Sequence, residues 1–146
     1  MESDTIYQVT DLNSRRVEFV AAAKRGGARL RDKDGTSLVM LRESHVRVLE
    51  GLAGCTNDYL RLERLLRNAE APSVSDLGTL AWLRVFDRED QGSFLEDLRD
   101  AIVAASADED LTSVEDTVRD WRTTAAQLAD PLRRAVLLSD DLRSDD

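Results

Sequence analysis

Thr5-Ile6-Tyr7-Gln8-Val9, then Thr10-Asp11-Leu12-Asn13-Ser14-Arg15-Arg16, then Gly26-Gly27-Ala28-Arg29-Leu30-Arg31-Asp32-Lys33-Asp34-Gly35-Thr36-Ser37-Leu38-Val39-Met40-Leu41 form the stretch whose reading decides the fold. Residues 5–9 are β-branched and aromatic, which suits a short strand. Thr10 or Asp11 is a good N-cap, because its side-chain oxygen can accept a backbone N–H left free at a helix start. The helix predicted from there runs to about Arg25, with Leu12, Phe19, Val20 and Ala23 on one face and Arg16 in the middle of that face. Gly26-Gly27 ends it, since glycine takes the left-handed conformation that a helix C-terminus needs. Two runs, 28–33 and 36–42, then flank Asp34-Gly35, a preferred two-residue hairpin loop in which both positions take positive φ. Leu30 between Arg29 and Arg31 alternates, so one face of that strand is buried. Leu38-Val39-Met40-Leu41 is apolar throughout, as in a strand covered on both faces. In so small a unit the second cover is read as another copy of the chain. Leu38, Val39, Met40 and Leu41 are therefore the predicted dimer interface.

From residue 43 onward the pattern is helical. A short helix over 45–53 turns Val46, Leu49 and Leu52 or Ala53 inward, and Gly54 breaks it. Thr56 caps the next helix, with Tyr59, Leu62, Leu65 and Leu66 on one side, and Ala71-Pro72-Ser73 is the expected linker. A third helix spans about 76–86 and carries Trp82, Leu83 and Phe86. Asp87-Arg88-Glu89-Asp90 reads as a cap with an acidic first turn, which the positive end of the helix dipole favours. The helix after it groups Phe94, Leu95, Leu98, Ile102 and Ala105. Thr112-Ser113-Val114-Glu115 has capping-box spacing. Leu111, Val114, Val118, Trp121, Ala125 and Leu128 then step by three or four along a helix of about 17 residues. Asp130-Pro131 marks a fresh start with Pro at the first helical position, and the acidic residues after Ser139 are expected to fray.

The bulk numbers set limits around this pattern. The chain has 146 residues, enough for one domain or a small domain with an arm. Only 5% are aromatic, so the core is mainly aliphatic, and 34% are charged, which suits an elongated helical protein. No apolar run approaches the roughly 18 residues of a membrane span. Met1-Glu2-Ser3-Asp4 lacks the basic-then-apolar order of a signal peptide, and the single Cys55 rules out an internal disulfide. A cytoplasmic protein is expected. The net charge of −9 is unevenly spread: residues 1–70 hold 12 Lys and Arg against 11 Asp and Glu, and residues 71–146 hold 8 against 18. A chain basic near one end and acidic at the other can present two surfaces to two kinds of partner.

Catalysis and metal binding find no constellation. His45 is the only histidine, and it reads as structural or solvent-facing. A dyad with Cys55 would lack an orienting third group and an oxyanion site. One Cys and one His cannot make a zinc site, and Gly26-Gly27 has neither the spacing nor the lysine of a phosphate-binding loop. No enzyme, cofactor or metal is expected. Nucleic-acid binding is better supported. Asn13, Ser14, Arg15 and Arg16 lie near the start of the first helix, where free N–H groups face phosphate and arginine adds charge or a bidentate bond to guanine. Lys24, Arg25, Arg29, Arg31 and Lys33 add positive charge nearby. The alternative for all of these is a solvated helix face.

The order strand, capped helix, glycine break and hairpin over residues 5–50 resembles the N-terminal half of the prevent-host-death (Phd/YefM) antitoxins of bacteria. Residues 111–137 look like the C-terminal part of long actinobacterial-type members, through Glu115-Asp116, Asp120-Trp121-Arg122-Thr123-Thr124-Ala125 and Ala129-Asp130-Pro131-Leu132. The resemblance implies an α+β fold: a small antiparallel-containing sheet with helices at the N-terminus, followed by an all-helical C-terminal region. It implies a dimerisation and DNA-binding domain over 1–54, a connecting helix over 55–71 and a helical, acidic toxin-binding region over 72–146. It carries operator contacts onto Asn13, Ser14, Arg15 and Arg16, and further onto Arg29 and Arg31. The implied function is that of a type II antitoxin, a homodimer that neutralises a small basic toxin and represses its own operon. Toxins of the RelE ribonuclease type often accompany the family. The apolar stripes bearing Trp82, Leu83, Phe86, Leu98 and Trp121 would cover the toxin, and the alternative for them is packing inside a helical bundle. The family's hairpin tip is usually basic, whereas this one reads Asp32-Lys33-Asp34-Gly35-Thr36. That departure favours a second reading, a scaffolding dimer of similar fold that does not bind DNA.

Overall fold

The computed structural model of the chain describes residues 5–143, without the side chains of 131–134, 141 and 142. The acidic residues 1–4 and the end of the tail expected to fray, 144–146, lie outside the described residues. The fold is mixed α and β, with a three-stranded sheet near the start and helices elsewhere. The chain forms two compact units, Met1–Glu50 and Gly51–Asp146, each with its own core.

The first unit runs β1 (Ile6–Gln8), α1 (Asp11–Ser14), α2 (Arg16–Arg25), β2 (Ala28–Arg31) and β3 (Ser37–Met40). β1 lies parallel to β2 and β2 antiparallel to β3, in the order β1-β2-β3. Register partners share a side of the sheet, and successive residues point to opposite sides. One side therefore carries Tyr7, Ala28, Leu30, Leu38 and Met40; the other carries Ile6, Gln8, Arg29, Arg31, Ser37 and Val39. Tyr7 and Ala28 close against Phe19 and Ala23 of α2, with Leu12, Val20 and Leu30 around them. The rings of Tyr7 and Phe19 meet edge to face at 5.3 Å.

Three local expectations change in this unit. The first helix is not continuous: it bends at Arg15 (φ −121°, ψ 26°), where the guanidinium folds back to 4.8 Å from the centre of the Tyr7 ring. The bend re-phases the helix, and Arg16 stands exposed instead of lying in the apolar face. The Thr10 side chain accepts no helix N–H, and the Asp11 carboxylate instead accepts the Gln8 N–H at 2.8 Å and ties α1 to β1. The hairpin loop is also longer than two residues. Asp32 N–H bonds to Thr36 O and Gly35 N–H to Asp32 O, leaving Lys33-Asp34-Gly35 as the loop. Gly35 alone takes positive φ there, 87°, as expected for a turn closed by a glycine bulge.

The second unit is helical. α3 (Glu43–Arg67) is one helix of 25 residues, and the boundary between the units falls inside it. Glycine costs a helix interior about 1 kcal/mol, which packing of the flanking face outweighs here. Gly54 accordingly does not break the helix. Gly51 has a packing reason, because Leu111 lies where a Cβ would stand. Residues 55–71, expected to connect two regions, instead supply Tyr59, Leu62, Leu65 and Leu66 to the second core. The helix expected over about 76–86 is a short α4 (Val74–Leu77) followed by a 3-10 segment (Gly78–Val85). A capping box forms at Ser73 and Asp76. At the start of α6 the helix is capped differently from expectation: Asp110 accepts the Thr112 N–H at 2.7 Å.

α5 (Arg88–Asp108), α6 (Thr112–Ala129) and α7 (Pro131–Arg143) complete the unit. Asp87 caps α5 through the Asp90 N–H, as the acidic first turn predicted. Arg88 donates to the carbonyls of Asn68, Ala69 and Glu70 and so ties the turn that follows α3 to the start of α5. The buried Gln91 donates to Leu83 O and Phe86 O and so closes the end of the 3-10 segment. Phe94 stands at the centre of the core, edge to face with Trp82 at 5.1 Å and with Trp121 at 5.7 Å.

Candidate nucleic-acid interface

α1 and α2 cover the Tyr7 side of the sheet and turn their outer surface to solvent. Asn13 and Ser14 end α1, and Arg16 begins α2; all three are exposed. With Arg15, Val17, Glu18, Ala21 and Arg25 they line one open groove of ≈ 530 Å³. The lining holds three arginines against one glutamate, so its field is positive. Val17 and Ala21 were not singled out in the sequence. The available signal was the four-residue spacing of Val17, Ala21 and Arg25, which puts the three on one helical face.

Arg15 has a different position from its neighbours. Its Nε donates to Glu18 Oε2 at 3.1 Å and its Nη2 to Glu18 Oε1 at 2.6 Å. Tyr7, whose hydroxyl donates to the same carboxylate, completes the cluster. The bond from Arg15 holds the Glu18 carboxyl below the usual carboxylate range, and burial pushes the Tyr7 phenol up. Arg15 is thus held by groups of its own unit, while Arg16 is turned outward.

The structure separates the arginines that the sequence grouped. Leu30 faces the helices, so its neighbours Arg29 and Arg31 must project from the opposite side of the sheet. Asn13, Ser14 and Arg16 form one surface; Arg29 and Arg31 form another, in rows with Ile6 and Val39 and with Gln8 and Ser37. Arg29 and Arg31 therefore do not share the surface that carries Asn13, Ser14 and Arg16.

The strand expected at a dimer interface lies open in the single chain. Leu38, Val39 and Met40 are 48%, 59% and 47% exposed on the edge strand β3. Leu41 is half-buried, with its Cδ2 2.9 Å from the place of a Gly27 Cβ.

The residues expected to cover a toxin are placed otherwise. Leu83, Leu98 and Phe86 are 0%, 2% and 7% exposed, and Trp82 and Trp121 are half-buried against them. Trp121 also donates to Asp97 at 2.9 Å. Helical stripes from α5, α6 and the 3-10 segment face one another, so these five residues are core. Among the described residues, the exposed large apolar side chains of this unit include Val136, Leu137 and Leu138 on α7.

Burial pushes the Cys55 thiol up, and its Sγ donates to Leu52 O, both opposite to what a nucleophile needs. Among the described residues no group of three His, Cys, Asp or Glu could hold a metal ion, and no helix is long and apolar enough to cross a membrane. Comparison of the chain with family models, curated proteins and solved structures found no match.

Proposed function

We propose that the chain is a two-part binding protein of the prevent-host-death antitoxin type. The first unit binds operator DNA as a homodimer, and the helical unit binds a small basic toxin. The observation that carries this reading is the open positive groove lined by Asn13, Ser14 and Arg16, set on a βαββ unit whose last strand exposes three consecutive apolar side chains. A second copy over β3 would remove those side chains from water and double the phosphate contacts. The toxin surface moves, in this reading, from the five aromatic and leucine residues of the core to α7, where Val136, Leu137 and Leu138 stand exposed. The net charge of residues 51–146, 11 Lys and Arg against 21 Asp and Glu, suits a basic partner.

The test is a gel shift with the DNA upstream of the gene at two salt concentrations. Binding should weaken with a log–log slope of about 0.9 for each neutralised phosphate. Salt-independent retardation, or none at low salt, overturns the DNA half. A small basic protein encoded beside the gene should co-purify with the chain and be lost on removal of residues 131–146.

A scaffolding dimer that does not bind DNA is the second reading. It is favoured by the acidic loop Asp32 and Asp34 and by the projection of Arg29 and Arg31 away from the groove. The two readings part in the gel shift, because light scattering would find a dimer in both.

A further inference from the structure

On α2, Val17, Ala21 and Arg25 recur every four residues and so share a face, and with Asn13 at the end of α1 they line one groove. Val17 is 82% exposed, the highest value among the exposed large apolar side chains described. Valine gains nothing for the fold at such a place, and its branched Cβ slightly disfavours the helix. What lines the groove with it is polar or cationic: Asn13 before the Arg15 bend, Arg16 adjacent and Arg25 two turns on. Ala21 between them is small enough to let a broad surface approach the helix closely. An apolar side chain ringed by these groups matches the major-groove edge of an A·T pair. There the thymine 5-methyl is the one apolar feature, and the partner adenine offers N6 and N7 to an amide.

We propose that Val17 is a specificity-determining residue that packs on a thymine 5-methyl group in the major groove, with Asn13, across the Arg15 bend in the same groove, on an adjacent adenine. The inference rests on the DNA-binding reading and adds to it the base class that is read. Positive charge carries affinity for phosphate irrespective of sequence, so Arg16 and Arg25 supply attraction while Val17 supplies discrimination.

The probe is a duplex recovered from a random pool by the full-length chain. Each thymine is then replaced in turn by uracil, which deletes only the methyl group. At one position or more, affinity of the unaltered chain should fall roughly fourfold, the value of one methyl-sized apolar contact. The Val17→Ser chain should bind the thymine and uracil duplexes equally and keep the salt slope of the unaltered chain. Helix content by circular dichroism confirms that the variant folds. Failure of the unaltered chain to recover any duplex overturns the DNA reading together with this inference. Recovery of a duplex with no response to uracil, or a Val17→Ser chain that still distinguishes the two, overturns this inference alone.

Discussion

Arg15 and Glu18 are joined by two hydrogen bonds, at 3.1 and 2.6 Å, and the Tyr7 hydroxyl donates to the same carboxylate. Three elements, β1, the bend between the helices and α2, are thereby tied at one point. Arg16, next in the chain, faces the groove. The pair separates a role in folding from a role in binding at adjacent positions.

Arg15→Ala should therefore loosen the first unit, and Arg16→Ala should leave it intact. Hydrogen exchange read on peptides from residues 5–31 should rise for the first variant only. In the gel shift, Arg16→Ala should lower the salt slope by about one, the loss of a single phosphate contact. Equal exchange in both variants would show that the Arg15 cluster contributes nothing.

Acidification should act on the same cluster. The folded-state pKa of Glu18 is depressed, chiefly by the bond from Arg15. Its contribution is present above the ordinary carboxylate pKa and is lost as the pH falls through the lower, folded value. Exchange in residues 5–31, scaled to the intrinsic amide rate at each pH, should rise below about pH 4. Glu18→Gln should flatten that rise, and an unchanged pH profile in the variant would count against the assignment.

Truncation in the second core should be costly. Leu83→Ala removes a fully buried side chain and should destabilise the helical unit by about 2–5 kcal/mol, with Phe94→Ala at about 3–5 kcal/mol. Both tryptophans of the chain belong to this core, so the emission shift in a denaturant titration reads this unit alone. A Leu83→Ala chain with an unchanged midpoint would mean that the residue is not core, and the partner-binding role would reopen.

Two glycines of the first unit should respond differently to alanine. Gly35 has φ 87° and open space around it, so only backbone strain of about 1–2 kcal/mol is expected. Gly27 has φ 142° and Leu41 Cδ2 2.9 Å from a Cβ, so strain and a clash add. Gly27→Ala should raise exchange in residues 28–41 more than Gly35→Ala does; the reverse order would refute this account of the turn.

Loss of the apolar edge should show in assembly. Val39→Lys places a charge on the exposed strand and should shift light scattering toward the single-chain mass, with helix content retained. A chain that stays dimeric would move the interface elsewhere.

Much of the first unit was legible in the sequence because its cues are local. The β-branched run at residues 5–9, the glycine pair after Arg25 and the alternation at Arg29-Leu30-Arg31 each specify conformation through immediate neighbours. Asp87 before α5, the apolar stripe of α6 and Pro131 at the start of α7 were legible for the same reason. The length of the hairpin loop was not, because Asp-Gly suits a two-residue turn as well as the end of a three-residue one. Pairing of Asp32 with Thr36 chose between them.

Periodicity along the chain determined which residues share a face, and composition along it determined where charge collects. Neither says what lies against a face. The stripes with Leu83, Phe86, Leu98 and Trp121 have the same pattern whether they meet a partner or one another, and only tertiary packing put them inside. The glycine at position 54 reads as a break until the leucines of α3 pack along one continuous helix. Arg16 and Arg31 are alike in charge, and it is the packing of Tyr7, Ala28 and the half-buried Leu30 against α2 that leaves Arg31 on the sheet side away from the helix that carries Arg16. Local preference sets the element; the free energy of covering apolar surface, which depends on distant residues, decides which side of it meets water.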